Sequence, residues 1–118
     1  MRNGAAKEPM IARVWFGRTL PENAEAYYTY LTGKVFARLR NIAGHEGAFV
    51  LRRPCDGRTE FQVTTLWRSM EAVREFAGPN SDTAVIEPYA RTLLVEFDLF
   101  VRHYEVAYAS AELGSVKG

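Results

Sequence analysis

The pattern of apolar and polar residues near the N-terminus predicts a β-strand over residues 10–19. This stretch, MIARVWFGRT, is rich in β-branched and aromatic residues, which are typical of strands. Strand alternation places Ile11, Arg13 and Trp15 on one face of the strand. Because burying an unpaired guanidinium is costly, we expect Arg13 to meet a carboxylate or open onto water.

An amphipathic helix is predicted over residues 19–44. Pro21 suits its first turn, with Thr19 or Leu20 as the cap, and Gly44 is placed to end it. Apolar residues recur at steps of three and four, which favours one buried face. They are Ala24, Tyr27, Tyr28, Leu31, Val35, Leu39 and Ile42.

A hairpin follows, since two β-rich runs flank the turn signal Asp56-Gly57. The next segment, SMEAVREFAG, predicts a short helix capped by Ser69 and ended by Gly78. Residues 81–88, SDTAVIEP, predict one more short helix that stops at Pro88.

The last predicted strand runs from about Leu94 to Tyr108, or roughly 45–50 Å at ~3.3 Å per residue. The major elements then follow the order βαββαβ, which predicts an α+β, ferredoxin-like domain with one antiparallel sheet and its helices on one face. The other face of the sheet carries enough apolar residues that it should not be bare. We therefore expect a homodimer, with two sheets packed face to face.

Length and composition place these elements in one domain over residues 10–108, between loose tails at 1–9 and 109–118. The formal net charge of +1 argues against nucleic acid as the main partner. The N-terminus lacks a signal-peptide core, and no stretch reaches the ~20 apolar residues that span a membrane. With a single cysteine, Cys55, the expectation is a soluble cytoplasmic protein with no membrane partner.

His103, in the stretch VRHYEV, is the first candidate for a catalytic residue. An imidazole titrates near pH ~6.5, so it can act as a general base at neutral pH, and Glu105 shares its face of the strand. A structural histidine bonded at the dimer interface is the alternative. Arg13 is the second candidate, to hold an anionic substrate or stabilise an enolate. Its alternative is an ion pair within the sheet with one of three carboxylates, Glu60, Glu96 or Glu105.

Five further residues are candidates for substrate binding, each with a structural alternative. The aromatic ones suit the wall of an apolar pocket or ordinary core packing, and core packing is favoured for Trp67. The two that bracket Pro88 suit a pocket mouth or a solvated surface. The five are Trp15, Tyr27, Trp67, Glu87 and Tyr89. His45 and His103 are not at a local metal-ligand spacing, so no metal site is expected.

Three segments of the chain resemble the antibiotic biosynthesis monooxygenase family of dimeric α/β-barrel proteins. They are MIARVWFGRT (10–19), TLWRSMEAVREFAG (65–78) and VRHYEV (101–106). The resemblance implies a homodimer, a small-molecule pocket between sheet and helices in each subunit, and no bound metal or flavin. In such oxygenases an electron-rich aromatic, such as an anthrone or a hydroquinone, loses a proton and then passes an electron to O₂.

The leading hypothesis is therefore a cofactor-independent monooxygenase-like enzyme for a small aromatic or polyketide-like substrate. The alternative is a non-enzymatic small-molecule-binding or stress-response protein that uses the same pocket. A second branch of this fold degrades haem, with a histidine on or near the second helical segment as the iron ligand. Residues 76–91 contain no histidine, and Phe76 stands where that branch has a tryptophan, so the haem resemblance fails at its main residue.

Overall fold

An antiparallel sheet forms the centre of the computed structural model, which describes residues 9–110. Its strands are β1 (Ile11–Thr19), β2 (His45–Cys55), β3 (Arg58–Trp67), β4 (Leu94–Phe97) and β5 (Arg102–Glu105). The order across the sheet is β2-β3-β1, and both β4 and β5 pair with the remaining edge of β1. This α+β architecture, with the helices on one side of the sheet, confirms the predicted ferredoxin-like fold.

The predicted first helix is confirmed, although it is not uniform. It begins with a 3₁₀ turn (Pro21–Asn23) and continues as α1 (Ala24–Tyr30), a π-helical turn (Leu31–Val35) and α2 (Phe36–Leu39). Of the two predicted N-cap residues, Leu20 occupies the position, without a side-chain hydrogen bond, and Thr19 is fully buried at the end of β1. The predicted end at Gly44 is wrong, since the helix ends at Leu39.

The predicted hairpin and second helix are confirmed, because short-range signals specify both. Asp56 and Gly57 have φ angles of 53° and 74°, as a two-residue hairpin turn of type I′ requires. The helix α3 (Met70–Ala77) starts at Ser69, whose Oγ accepts a hydrogen bond from Ala72 N at 3.2 Å. It ends at Gly78, which has φ 86°.

The helix predicted for residues 81–88 is wrong. These residues form a loop, and a helix, α4 (Pro88–Leu93), begins where the predicted one was to stop. Proline disfavours a helical conformation in the residue before it, and Glu87 is accordingly extended, with ψ 158°. The fixed φ of Pro88 then suits the first turn of α4.

The single long final strand is also wrong, since it is broken into β4 and β5. Asp98 still donates to Phe16 O on β1, but residues 99–101 pair with the preceding loop: Ala84 N donates to Leu99 O at 2.9 Å, and Val101 N donates to Asp82 O at 2.8 Å. Beyond the break, β5 returns to β1 and His103 lies directly opposite Arg13. The break therefore ties the loop at residues 81–87 to the sheet edge.

Two clusters of buried side chains form the core between the helices and the sheet. One is built around Tyr27, Leu31 and Phe61, and the other around Leu39 and Trp67. Within residues 9–110, no helix is both long enough and apolar enough to cross a membrane. The predicted tails at 1–9 and 109–118 lie outside the described residues, apart from Pro9, Ala109 and Ser110.

Candidate functional site

A cavity of about 110 Å³ lies between the helices and the sheet, bordered by both core clusters. Strand β1 contributes Arg13 and Trp15, and the first helical segment contributes Tyr27 and Phe36. The loop that precedes α4 supplies a third wall, residues 84–87. Most of the lining is apolar or aromatic, so the charge of Arg13 is the main polar feature contributed by the sheet.

Arg13 is buried, with only 6% of its surface exposed. Its Nη1 donates to Ser81 O at 2.6 Å, and its Nη2 donates to Thr83 O at 3.1 Å. The guanidinium also lies over the ring of Phe76, at 5.7 Å from the ring centre. Burial lowers the pKa of Arg13, while the charge of Asp82 opposes that shift. The group is thus held by neutral carbonyls on the loop, and no carboxylate among residues 9–110 is in direct contact with it.

The expected ion pair of Arg13 with Glu60, Glu96 or Glu105 is wrong. Arg18, on the opposite face of β1, takes the first two instead, at 3.0 Å and 3.1 Å. The register explains this outcome, because Glu60 and Glu96 lie opposite Arg18 on the neighbouring strands.

His103 completes the surroundings of Arg13. Its Nε2 lies 2.9 Å from Arg13 Nη1, and its Nδ1 lies 3.3 Å from Asp82 Oδ1. A guanidinium can only donate, so Nε2 must accept and the neutral ring must carry its proton on Nδ1, facing Asp82. Glu105, which the sequence suggested as the partner, does not have this role. The base role of His103 stays a prediction: its free lone pair is directed at Arg13, and the ring is not among the groups that line the cavity.

Two effects lower the pKa of His103. Burial is the larger, and the positive charge of Arg13 is the second, while Asp82 acts in the opposite direction. The ring is therefore neutral at pH 7, as the hydrogen bond from Arg13 requires.

At its other end the cavity is bounded by a hydrogen-bonded group of three residues. Tyr30 Oη donates to Glu87 Oε1 at 3.0 Å, and Arg38 forms an ion pair with the same carboxylate. Burial, followed by the contact with Glu87, raises the pKa of Tyr30 to about 12. The hydrogen bond from Arg38 lowers the pKa of Glu87, so this carboxylate is ionised and fully engaged at neutral pH. These contacts join the first helical segment to the loop at the cavity mouth.

Of the five predicted substrate-binding residues, three line the cavity: Trp15, Tyr27 and Glu87. Trp67 does not, because it is fully buried between His45 and Phe76, with its indole N–H bonded to Thr65 Oγ1 at 2.8 Å. The prediction that Trp67 lines the pocket is therefore wrong, and its ring packs in the core.

Tyr89 also lies outside the cavity. It is 52% exposed, and its ring contacts Tyr30 on the outer side of the helices.

Sequence reasoning missed three residues at this site. The contact of Asp82 with His103 was not expected, because residues 81–88 were interpreted as a helix. Phe76 was weighed only as the counterpart of a haem-branch tryptophan, although it lines the cavity beneath Arg13. Tyr30 was passed over for Tyr28, which is 38% exposed, although Tyr30 follows Tyr27 at the helical spacing of three.

No protein-family model matches the sequence, and no curated protein matches it. Solved structures do. A candidate antibiotic biosynthesis monooxygenase from Bacillus cereus superposes with a TM-score of 0.62 at 16% identity, covering 88% of this chain and 99% of that one. A haem-degrading protein from Mycobacterium tuberculosis gives 0.57 at 17% identity, covering 89% and 99%.

A third structure is a Streptomyces coelicolor monooxygenase in complex with nanaomycin D, with a TM-score of 0.54 at 15% identity over 92% of this chain and 96% of that one. Identities of 15–17% concern the fold and not the reaction. The resemblance found in the sequence is confirmed at that level: the chain has the fold of the antibiotic biosynthesis monooxygenases.

Proposed function

We propose that this protein binds a small single-ring aromatic compound in the cavity between helices and sheet, and oxygenates it as a cofactor-independent monooxygenase-like enzyme. The observation that carries the proposal is one buried guanidinium, Arg13, in the wall of a mainly apolar and aromatic cavity, where the lining carboxylate Glu87 is already paired with Arg38. Such a site suits a ligand with an aromatic body and one oxygen that becomes negatively charged.

The cavity volume supports a single ring. At about 110 Å³ it is below the ~300–1,000 Å³ of drug-sized pockets, and closer to the ~150 Å³ of an engineered cavity that holds benzene. Aromatic side chains from both the sheet and the helices, Trp15 and Phe36 among them, suit a flat ligand. A fused three-ring substrate would need the loop at residues 84–87 to move outward.

Arg13 would act by favouring the deprotonated ligand. A phenol that loses its proton to water beside a guanidinium gains a charge contact in surroundings of low polarity, so its pKa falls. The phenolate can then pass an electron to O₂. Radical recombination at the ring, followed by loss of water, gives a quinone, with one oxygen atom in the product and the other in water. Action of His103 as the base would require the ligand to displace Arg13 from Nε2.

Binding without turnover is the second candidate, and one observation favours it. The lone pair of His103 Nε2 already accepts from Arg13, so no free imidazole base faces the cavity. Haem binding is not proposed, because neither His103 nor His45 lines the cavity.

We further propose a homodimer through the open face of the sheet. Leu51, Phe100 and Tyr104 are 53%, 64% and 53% exposed, and they lie on or beside this face. An exposed apolar face of this kind is typical of an interaction surface. Sedimentation equilibrium should give twice the chain mass, and a Leu51→Asp, Tyr104→Asp variant should give the chain mass. Leu20→Asp, away from this face, should leave the dimer intact, and a wild-type monomer would refute the proposal.

Oxygen uptake with phenol and with anthrone tests the enzymatic proposal. The wild-type protein should consume O₂ with phenol and release the quinone, whereas Arg13→Met should be slower by about 10²–10³-fold, the usual effect of removing one electrostatic stabiliser. Phenol that binds without O₂ loss would favour the binding protein. Anthrone turnover in the absence of phenol turnover would contradict the single-ring assignment.

A further inference from the structure

The hydrogen bonds that Arg13 makes within residues 9–110 go to the loop before α4 and to β5. Within the described residues, three of its five N–H groups are used, by Ser81 O, Thr83 O and His103 Nε2. Both Nη1 hydrogens are engaged, which leaves Nε–H and one Nη2–H for a ligand. The orientation of the guanidinium therefore depends on its acceptors, and among residues 9–110 His103 is the one that accepts through its side chain.

His103 can accept from Arg13 in only one of its two neutral tautomers. With the proton on Nδ1, the Nε2 lone pair faces the guanidinium; with the proton on Nε2, two N–H groups would face each other at 2.9 Å. Asp82 lies 3.3 Å from Nδ1 and favours the first tautomer, since a carboxylate stabilises a proton placed on that side. Asp82 is in turn fixed through its backbone, because Asp82 O accepts from Val101 N.

We infer that Asp82 and His103 are positioning residues that hold the Arg13 guanidinium at the cavity wall, and so set the preference of the site for an anionic ligand over a neutral ligand of the same shape. The inference rests on the proposed function, because it concerns how the Arg13 guanidinium is oriented toward that same cavity. Neither residue needs to touch the ligand. The side chain of Asp82 is 81% exposed and lies next to His103 Nδ1, and its charge also acts directly on Arg13.

The test uses benzoate and benzamide, which share a ring and differ in charge. Binding of each is measured by calorimetry at pH 7.5 to wild-type protein and to four variants. His103→Leu removes the acceptor, whereas His103→Gln offers Arg13 an amide oxygen. Asp82→Ala removes the carboxylate, whereas Asp82→Asn keeps an oxygen without the charge.

The wild-type protein should prefer benzoate. His103→Leu should lower the benzoate-to-benzamide affinity ratio by about tenfold, which is what one hydrogen bond to a charged group contributes. His103→Gln should restore most of the ratio. Asp82→Ala should lower it, and Asp82→Asn should lie between. A purely structural role would weaken both ligands alike, and an unchanged ratio in His103→Leu would overturn the inference.

Nitrogen-15 NMR of the labelled histidines separates this inference from the proposed function, since it needs no ligand. The wild-type ring of His103 should be protonated at Nδ1, and Asp82→Ala should introduce the Nε2-protonated form. Wild-type protein protonated at Nε2 would overturn the inference. A ring that stays wholly Nδ1-protonated in Asp82→Ala would remove Asp82 from it. Failure of wild-type protein to bind either ligand, by contrast, would overturn the proposed function.

Discussion

Replacing Arg13 with methionine should destabilise the protein far more than the same change at Arg18. Both arginines lie on β1, and each has acceptors on neighbouring segments. Arg13 is almost fully buried, whereas the side chain of Arg18 is 30% exposed and faces the other side of the sheet. Methionine keeps most of the apolar stem in both cases, so the comparison isolates the guanidinium.

The magnitude follows from what each change leaves behind. Arg13→Met leaves Ser81 O, Thr83 O and His103 Nε2 without their donor. A buried acceptor without a partner costs about 1–3 kcal/mol, and water can reach part of this loop, so we expect a loss of about 2–4 kcal/mol. Removing Arg18 breaks surface ion pairs, which contribute about 0–1 kcal/mol each.

Urea denaturation at pH 7.5 measures both variants. With a slope of about 1–3 kcal/mol per M, Arg13→Met should unfold at a midpoint roughly 1–2 M below that of the wild-type protein. Arg18→Met should change the midpoint by a few tenths of that amount. Equal losses in the two variants, or a loss below about 1 kcal/mol in Arg13→Met, would refute the claim that Arg13 holds the loop to the sheet.

Three further predictions concern pH, the cavity wall and a helix cap. Burial lowers the pKa of both His103 and His45, so the unfolded chain binds more protons near pH ~6.5, and the free energy of unfolding should fall as pH drops through and below that value. His103→Gln and His45→Gln should each flatten part of this dependence in urea titrations from pH 8 to 5. A pH dependence unaltered in both variants would contradict the pKa directions. A Cβ on Gly17 would lie 2.4 Å from the Trp15 ring, so Gly17→Ala should displace Trp15 from the cavity wall. Phenol binding, measured by fluorescence titration, should then weaken. Unchanged binding would show that the ring can move freely. Ser69→Ala should cost about 1 kcal/mol in thermal or urea unfolding, because Ser69 Oγ caps α3, and a neutral result would mean that water replaces the cap.

Local signals in the sequence were sufficient for part of the fold. The Asp56-Gly57 turn, the start of the first helix at Pro21 and the cap at Ser69 each depend on residues close in sequence, and the structure contains all three. The loop at residues 81–87 depends instead on contacts with Arg13 and with residues 99–101, which are distant in sequence. Its composition alone therefore suggested a helix.

The candidate site likewise combines features that neighbouring residues determine with features that depend on residues distant in sequence. Strand alternation placed Arg13 and Trp15 together on one face of β1, and in the structure both line the cavity between sheet and helices. The partner of Arg13 could not be found in this way, because it depends on strand register: Glu60 lies opposite Arg18, and His103 lies opposite Arg13. Asp82 could not be found from the sequence either, because its loop lies beside the imidazole only as a result of the break between β4 and β5.

Ionisation of bound 4-nitrophenol tests the central claim most directly, since this single-ring phenol turns yellow when it loses its proton. Its absorbance at pH 6 would be followed as wild-type protein, Arg13→Met or Arg18→Met is added. If Arg13 favours a deprotonated ligand in the cavity, wild-type protein and Arg18→Met should deepen the yellow colour, and Arg13→Met should not. Equal colour with all three proteins, or none with the wild-type protein at saturating concentration, would contradict the account.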